Sequence, residues 1–406
     1  MAFEYAESKS LGGSWESYRY LPSGLERVEN LAMYEVGGLH PVELGQSYQE
    51  GRYKIVHKLG NGGFSTTWLA RDSRNNIYVA LKFVASDASK GYGDLKTLRD
   101  ISSAASTHAG TRYINHLLDE FFVDGPNGQH LCLVTKVLGA NVAHVSSDFH
   151  RLSGKASQEV ASQAVSALSY LHSLGICHGD FTSANTLLQL SGTLDTLNVD
   201  ELCSLIGIPK KEELRTPDGS AVGPSAPSYV VESIDFATVP NLLSLRLKVI
   251  DFDQAFQIST PPSKMLGTPP RCLSPEAIFD LEVGVASDVW ALGCLIFKIR
   301  SGFELFGSFG GHTPWHALRQ IVKTLGELPE KWRNRNFDSD GYLAEDSDGD
   351  AERLEYEPLR APLIDTVLEI QDDPSRSLVG VNDSLEVRLW KPSAEYGSMD
   401  DEESTT

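Results

Sequence analysis

Residues His178–Asn185, HGDFTSAN, sit between a helix-patterned run and a strand-patterned one. Ahead of them, SQEVASQAVSALSYLHSLG (157–175) puts Val160, Ala164, Leu168 and Leu171 on one helical face. Ser157 is the expected N-cap and Gly175 the stop. Behind them, NTLLQL (185–190) alternates as a strand does. The loop between carries an aspartate, Asp180, and five residues on an asparagine, Asn185. In that setting the carboxylate can take a proton from a nucleophile, and the amide can reach a cation as the loop curls between them. A polar helix-to-strand connection without chemistry is the plainer alternative.

Three further stretches make that alternative hard to keep. VIDFD (249–253) places Asp251 at the end of an apolar strand, LRLKVIDFD, where a carboxylate can chelate a cation on phosphate oxygens; a turn-capping Asp is the simpler reading. KLGNGGFSTTWLARD (58–72) puts small residues at a strand–turn–strand, so backbone N–H groups can approach a polyphosphate; alone it would pass for an ordinary hairpin. Lys82 in VALKF lies about twenty residues further on, a spacing that returns its ammonium to the same phosphates. Each fragment is weak alone. In this order and setting they are the parts for moving a phosphoryl group from ATP.

Composition bounds the rest. A chain of 406 residues, 41% apolar and 22% charged, is long enough for two packed lobes plus insertions. The net charge of −20 argues against direct nucleic-acid binding and favours basic partners, with a solvated acidic surface as the bland alternative. Much of that charge is local, in residues 338–357 and the tail MDDEESTT (399–406), read as loop and disordered end. The first stretch tempts a calcium-loop reading, but Ala351 stands where the loop's glycine belongs. The five cysteines form no CxxC pair and read as buried free thiols in a reducing compartment. MAFEYAESKS is not a signal peptide, and the best apolar run, Val289–Phe297, is too short to span a bilayer. A soluble monomer of the cytoplasm or nucleus, off the membrane, is expected.

Along the chain, residues 1–40 read as an irregular arm. Strands YKIVHKL, TTWLARD, IYVALKFV and LCLVTKV follow, with one helix candidate near Gly93–Ser103. Residues 191–245 are a long Pro-, Ser- and Gly-rich interruption holding one short helix, Val199–Ile206, and read as a functional insertion or a disordered segment. The very apolar SDVWALGCLIFKI (287–299) reads as the core helix of a second lobe.

At these residues the chain resembles the eukaryotic protein kinases over roughly residues 50–380. It is most similar to the fungal relatives of the serine/threonine kinases that act on Ser-Arg-rich splicing proteins. GGLHPVELGQSYQEGRYKIVHKLGNGGFSTTWLARD (37–72), LVTKVLG (133–139) and the long insertion carry the closer match. The resemblance implies an α+β bilobal fold: a five-stranded antiparallel N-lobe at 41–138, a larger helical C-lobe at 139–390, and an acidic tail at 391–406. It implies ATP and Mg2+ as cofactors and a basic or Arg/Ser-rich protein substrate. Asp180 would be the base and Lys82 the phosphate anchor, with Asn185 and Asp251 as metal ligands. Leu59, Gly60, Asn61, Gly62, Gly63, Phe64 and Ser65 would cover the nucleotide. Thr135 would be the gatekeeper, with Lys136–Leu138 as the adenine-contacting hinge. LSPEAIF (273–279) would close the activation loop, with Glu276 as its structural acid and Arg376 as that acid's usual partner. Asp288 would brace the catalytic loop's backbone.

Four positions depart from the family pattern. Gly179 stands for the arginine of HRD, which implies activity without activation-loop phosphorylation. Thr182 stands for a lysine that neutralises the transferring phosphate, so a lower rate is expected. Asp94 stands for the helix glutamate that pairs with the strand lysine, and Asp253 for the glycine of DFG, restricting backbone freedom there. HGDF with IDFD also resembles the aminoglycoside- and choline-type phosphotransferases. Such an enzyme, or a catalytically impaired ATP-binding scaffold, remains the alternative to a protein kinase.

Overall fold

The computed structural model describes residues 19–332 apart from 91–92, 105, 146–151, 193, 281, 308–312 and 327. The acidic stretch 338–357, the segment 363–378 with Arg376 and the tail 391–406 lie outside the described residues. Two units share the chain: Met1–Tyr92, His116–Val137 and Gly192–Asp235 form the first, and Gly93–Asn115, Leu138–Ser191 and Phe236–Thr406 the second. The class is the α+β arrangement of an antiparallel sheet and helices that was expected.

The first unit is built on an antiparallel sheet of β1 (Ser47–Tyr48), β2 (Tyr53–Gly62), β3 (Ser65–Asp72), β4 (Ile77–Val84), β5 (Leu117–Gly125) and β6 (Gly128–Lys136). Their order is β1-β2-β3-β4-β6-β5, six strands where five were expected, the extra one being the two-residue β1. Alternation sends Tyr53 and Ile55, Trp68 and Ala70, Val79, Leu81 and Phe83, and Cys132 and Val134 into one core. The edge strand β5 carries Asp119, Glu120 and Asp124, charge that blunts edge-to-edge pairing. A short α1 (Ser86–Ser89) follows β4.

The insertion is not a structureless loop. Helix α5 (Val199–Ile206) starts on a full capping box, Asn198 with Glu201, and buries Leu202 and Ile206. Asp195 fastens it to the sheet: its carboxylate accepts the Tyr78 N–H at 2.7 Å and its carbonyl accepts Arg71 Nη1 at 3.0 Å. Strands β9 (Lys211–Glu213) and β10 (Tyr229–Val231) form a hairpin. Val231 enters the sheet core, while Val230 and Leu214 pack with Tyr20, Tyr34 and Leu39 of the N-terminal arm. The Ile234 N–H donates to the Lys58 carbonyl at 3.0 Å.

At the centre of this packing lies a buried ion pair. Lys58, 0% exposed, meets the Glu29 carboxylate of the arm, which also accepts the Tyr34 hydroxyl, and the ammonium stands 5.8 Å from the Trp68 ring centroid. Burial pulls the Lys58 pKa below its ordinary value, against the opposing pull of Glu29. An ammonium with no water around it is tolerated because its charge is matched and hydrogen-bonded.

The second unit contains α2 (Gly93–Ser103), α3 (Val142–Val145), α4 (Gly154–Ser173), α6 (Pro275–Phe279), α7 (Val285–Ser301) and α8 (Pro314–Leu325). Helix α4 begins one turn before the expected start. Ser153 is its N-cap, accepting from the Ala156 N–H, while Ser157 is interior and donates its hydroxyl to the Leu152 and Ile299 carbonyls. Val160, Ala164, Leu168 and Leu171 are all buried, and Gly175 follows with φ 75°. Cys272, Leu273, Phe279, Cys294, Trp315 and Leu318 form a core between α6, α7 and α8.

Strands β8 (Thr186–Leu190) and β11 (Leu243–Val249) pair antiparallel, with a register shift between Leu243 and Leu247. The buried amide of Gln163 on α4 covers that irregularity, donating to the Leu245 carbonyl at 2.8 Å and accepting the Leu247 N–H at 2.7 Å. Two short strands, β7 (Ile176–Cys177) and β12 (Phe256–Gln257), also pair. Among the described residues no helix is long and apolar enough to cross a membrane. The cysteines are free; Cys203 is half-buried and the other four are buried.

Removing one member of the Lys58–Glu29 pair strands a buried charge. Lys58→Met should lower the unfolding free energy by about 3–5 kcal/mol, and adding Glu29→Leu should recover part of that in urea titrations. Acid should destabilise this unit as well. Burial lowers the pKa of His40 from 6.5 to about 3 and that of His57 to about 4, so the native state binds fewer protons than the unfolded one below pH 6.5. Stability is therefore full above that pH and falls toward pH 4, by about 1.4 kcal/mol per pH unit for each such histidine. Unfolding measured between pH 7 and 5 should show this slope, and His40→Leu should reduce it by one proton.

Candidate active site

In the first unit, β2 continues through Gly62 and β3 begins at Ser65, so Gly63 and Phe64 form the turn of the glycine-rich hairpin. Gly60, Asn61 and Gly62 pair with Thr67, Thr66 and Ser65. Phe64 is 49% exposed at the tip, and Ser65 is buried. A Cβ built on Gly60 or Gly63 meets nothing within 4 Å. The protein's own packing therefore does not demand glycine there; what glycine supplies is bare backbone. Leu59 is half-buried just before this stretch. Lys82 lies mid-strand on β4 between Thr67 and Leu133, half-buried. Thr135, half-buried, and the exposed Lys136 end β6, and Leu138 beyond them is buried.

In the second unit, the loop 178–185 is held from below by one carboxylate. Asp288, in the first turn of α7, accepts the His178 N–H at 2.8 Å and the Gly179 N–H at 3.0 Å, and its Oδ2 lies 2.9 Å from His172 Nε2. His178 carries the restraint onward. Its Nδ1 accepts the Asp180 N–H at 3.2 Å, so the proton sits on Nε2, which faces the Ile250 carbonyl at 3.1 Å. Burial lowers the His178 pKa and keeps the ring neutral. Phe252 and Phe181, both buried, close around the ring at 5.0 and 5.5 Å.

These restraints bring three of the expected residues together. Asn185 donates through Nδ2 to the Asp180 carboxylate at 2.6 Å and to its carbonyl at 3.0 Å. With the amide nitrogen so committed, the amide oxygen is the face left for a cation. The Ile250 N–H donates to the Asn185 carbonyl at 3.0 Å, which sets Asp251 beside it. Oδ1 of Asp180 is buried with no hydrogen-bond partner. Burial first, then the carboxylates of Asp253 and Asp251, push the Asp180 pKa up to about 7, while Asn185 and Arg271 pull it down. Oxygen donors of this kind suit a hard divalent cation, and an orphaned carboxylate oxygen suits a hydroxyl proton.

The departures take physical form here. Gly179 has φ 77°, and a Cβ on it would stand 2.2 Å from the Gln254 carbonyl oxygen. The place of the missing arginine is filled by backbone, and the Thr268 hydroxyl donates to the Gly179 carbonyl. Thr182 is 4% exposed, folded into the loop, and presents no cation. The backbone constraint expected at Asp253 falls instead on Asp251, which has φ 64°, while Asp253 is exposed. Asp251 also lies two residues past the strand, since β11 ends at Val249. Aspartate is among the residues that best tolerate this left-handed backbone. The Asp94 side chain lies outside the described residues. Sequence reasoning missed His172, Gln254 and Thr268, whose contacts depend on residues 89 to 116 positions away or on a backbone approach that no local pattern marks.

The protein kinase domain family matches residues 53–198. A serine/threonine-protein kinase SRPK of Physarum polycephalum is 30% identical over 329 residues, covering 76% of this chain and 75% of that protein. The serine/threonine-protein kinase spk-1 of Caenorhabditis elegans is 36% identical over 42% of this chain and 18% of that relative. SRSF protein kinase 3 of Homo sapiens is 34% identical over 41% and 30%, respectively. The chain spans less than a third of the length of the first curated relatives it matches.

At Gly179 both the positive φ and the Gln254 carbonyl oppose any side chain. Gly179→Ala should therefore cost about 1–3 kcal/mol, read as a lowered urea midpoint, whereas Gly63→Ala at the open hairpin tip should leave the midpoint nearly unchanged.

Proposed function

The chain belongs to the SRPK-type serine/threonine protein kinases, and from that premise we propose that it transfers the γ-phosphoryl group of ATP to serine or threonine hydroxyls of a protein substrate. The observation that carries this reading is the pairing of Asp180 with Asn185. One carboxylate oxygen and the carbonyl of Asp180 fix the asparagine amide, and the other carboxylate oxygen is buried without a partner. That orphaned oxygen accepts the proton of the substrate hydroxyl as it attacks. The Asn185 amide oxygen and the Asp251 carboxylate are the groups that would hold Mg2+. The cation, when bound, neutralises charge on the phosphates and offsets the repulsion among Asp180, Asp251 and Asp253.

Lys82 binds the α- and β-phosphates, and the backbone of Leu59–Ser65 covers them. Thr135 borders the adenine, and the Lys136–Leu138 backbone contacts it. Neutral His178 takes no proton from substrate; it positions Asp180 through the hydrogen bond at Nδ1. Because position 182 supplies no cation, turnover is slow relative to a kinase with lysine there. Because backbone fills the arginine's place at Gly179, activity does not wait on phosphorylation of the activation segment.

The substrate we propose is basic and Arg/Ser-rich. The net charge of −20 and the naming of a relative as an SRSF protein kinase support it. The protein acts as a monomer in the cytoplasm or nucleus, without nucleic acid or membrane, a reading supported by its acidic balance and free thiols.

Incubating the full chain with radiolabelled ATP, Mg2+ and an Arg/Ser peptide should label serine, and Asp180→Asn should reduce turnover about 10^2-fold or more. Equal labelling by wild type and variant would move the chain to the ATP-binding scaffolds. Equal turnover of acidic and Arg/Ser peptides would overturn the substrate class.

A further inference from the structure

His172, Cys177 and Asp288 bring an imidazole nitrogen, a thiol sulfur and a carboxylate oxygen within 4.8 Å of one another. Among the described residues this is the one group of three or more such donors so placed. They come from the last turn of α4, from β7 and from the first turn of α7, so their convergence is a product of the tertiary fold. Cys177 is 0% exposed and Asp288 2%, while the His172 side chain, 16% exposed, opens the group to solvent.

The group offers one carboxylate, one thiol and one imidazole, donor types that a transition-metal ion takes together. Burial, and then the neighbouring Asp288 carboxylate, push the Cys177 thiol up to about 12, so at neutral pH it keeps its proton. A divalent ion replaces that proton: the S–H bond breaks, a metal–sulfur bond forms, and H+ leaves to water. Thiolate, carboxylate and a 2+ ion then sum to zero, which a buried site tolerates far better than an unmatched charge. The imidazole supplies the third donor through Nε2, with its own proton moved to Nδ1. Sulfur with nitrogen selects zinc-like ions over magnesium or calcium, and three protein donors leave a fourth position for water.

We propose that His172, Cys177 and Asp288 form a Zn2+-type transition-metal site beneath the catalytic loop, and that its occupation slows phosphoryl transfer. The second half rests on the kinase reading. Asp288 Oδ2 is the acceptor for the His178 N–H at 2.8 Å, and Oδ1 is the acceptor for the Gly179 N–H at 3.0 Å. Ligation draws Oδ2 toward the metal and away from His178, so the loop carrying Asp180 loses one of its two anchors.

Co2+ is the probe, added at one equivalent to the full chain in excess Mg2+. Wild type should show thiolate-to-cobalt charge transfer and tetrahedral d–d bands, displaced by Zn2+. Cys177→Ser should abolish them although four other cysteines remain, and His172→Gln should weaken binding about tenfold or more. Zn2+ should raise the melting temperature of wild type and not of Cys177→Val, a variant that keeps the buried volume. No charge transfer in wild type, or unchanged bands in Cys177→Ser, would overturn the site. In peptide phosphorylation, Zn2+ at loading concentrations should slow wild type at least about fivefold more than Cys177→Val. A loaded wild type working at full rate would overturn the inhibitory half. Cobalt bands in a chain without any phosphotransfer would leave the site standing and sink the kinase reading alone.

Discussion

The Asp288 carboxylate is the group on which the rest of the second unit's site depends. A carboxylate 2% exposed persists only if its oxygens are satisfied, and here two consecutive backbone N–H groups and an imidazole do so. Its seat in the first turn of α7 adds the favourable end of the helix dipole. From it the restraint passes through the ring of His178 to Asp180 on one side and Ile250 on the other. Ile250 in turn binds Asn185. One buried charge on a core helix thereby sets three candidate site residues that the chain separates by up to 71 residues. It also explains why the same carboxylate is a sensitive place to perturb them.

The first unit solves a different problem with a similar device. The N-terminal arm and the insertion both pack against its sheet. Lys58 and Glu29 tie the arm to β2, and Asp195 ties the insertion to the start of β4. The two ends of the long excursion are held side by side, with the register shift falling just after Leu243. Ser191 donates to the Leu242 carbonyl at 2.7 Å, and the β8–β11 ladder resumes at Leu190 and Leu243. Closing a long loop costs only slowly more as the loop grows, so such an insertion is tolerated, and its buried apolar contacts repay the ordering.

How much of this was legible in the residues depends on the range of the signal. Helix α5 was read at its observed bounds, and the structure starts it on a local capping box of Asn198 and Glu201. The strands β2, β3, β4 and β6 were legible because one face alternates apolar residues. Ser157 read as the cap, but Ser153 caps the helix and Ser157 donates to the Ile299 carbonyl, 142 residues away. The insertion read as a functional insertion or a disordered segment with one short helix, because Val230, Val231 and Leu214 form too short a pattern to announce a shared core. Gly179 read as a lost arginine, and only the Gln254 carbonyl shows that the position excludes side chains altogether.

The residues alone were enough for the fold class and for naming a candidate site: Asp180, Asn185, Asp251, Lys82 and the glycine-rich hairpin. These are encoded in short spacings, where local geometry and periodicity already confine the backbone. The tertiary structure alone decided which oxygen of Asp180 is left without a partner, which tautomer His178 holds, and where the positive φ near Asp251 falls. It also decided that His172, Cys177 and Asp288 converge. Those outcomes rest on burial and on partners such as Ile250 and Asp288, 72 and 110 residues from His178, and burial is a property that no local pattern contains.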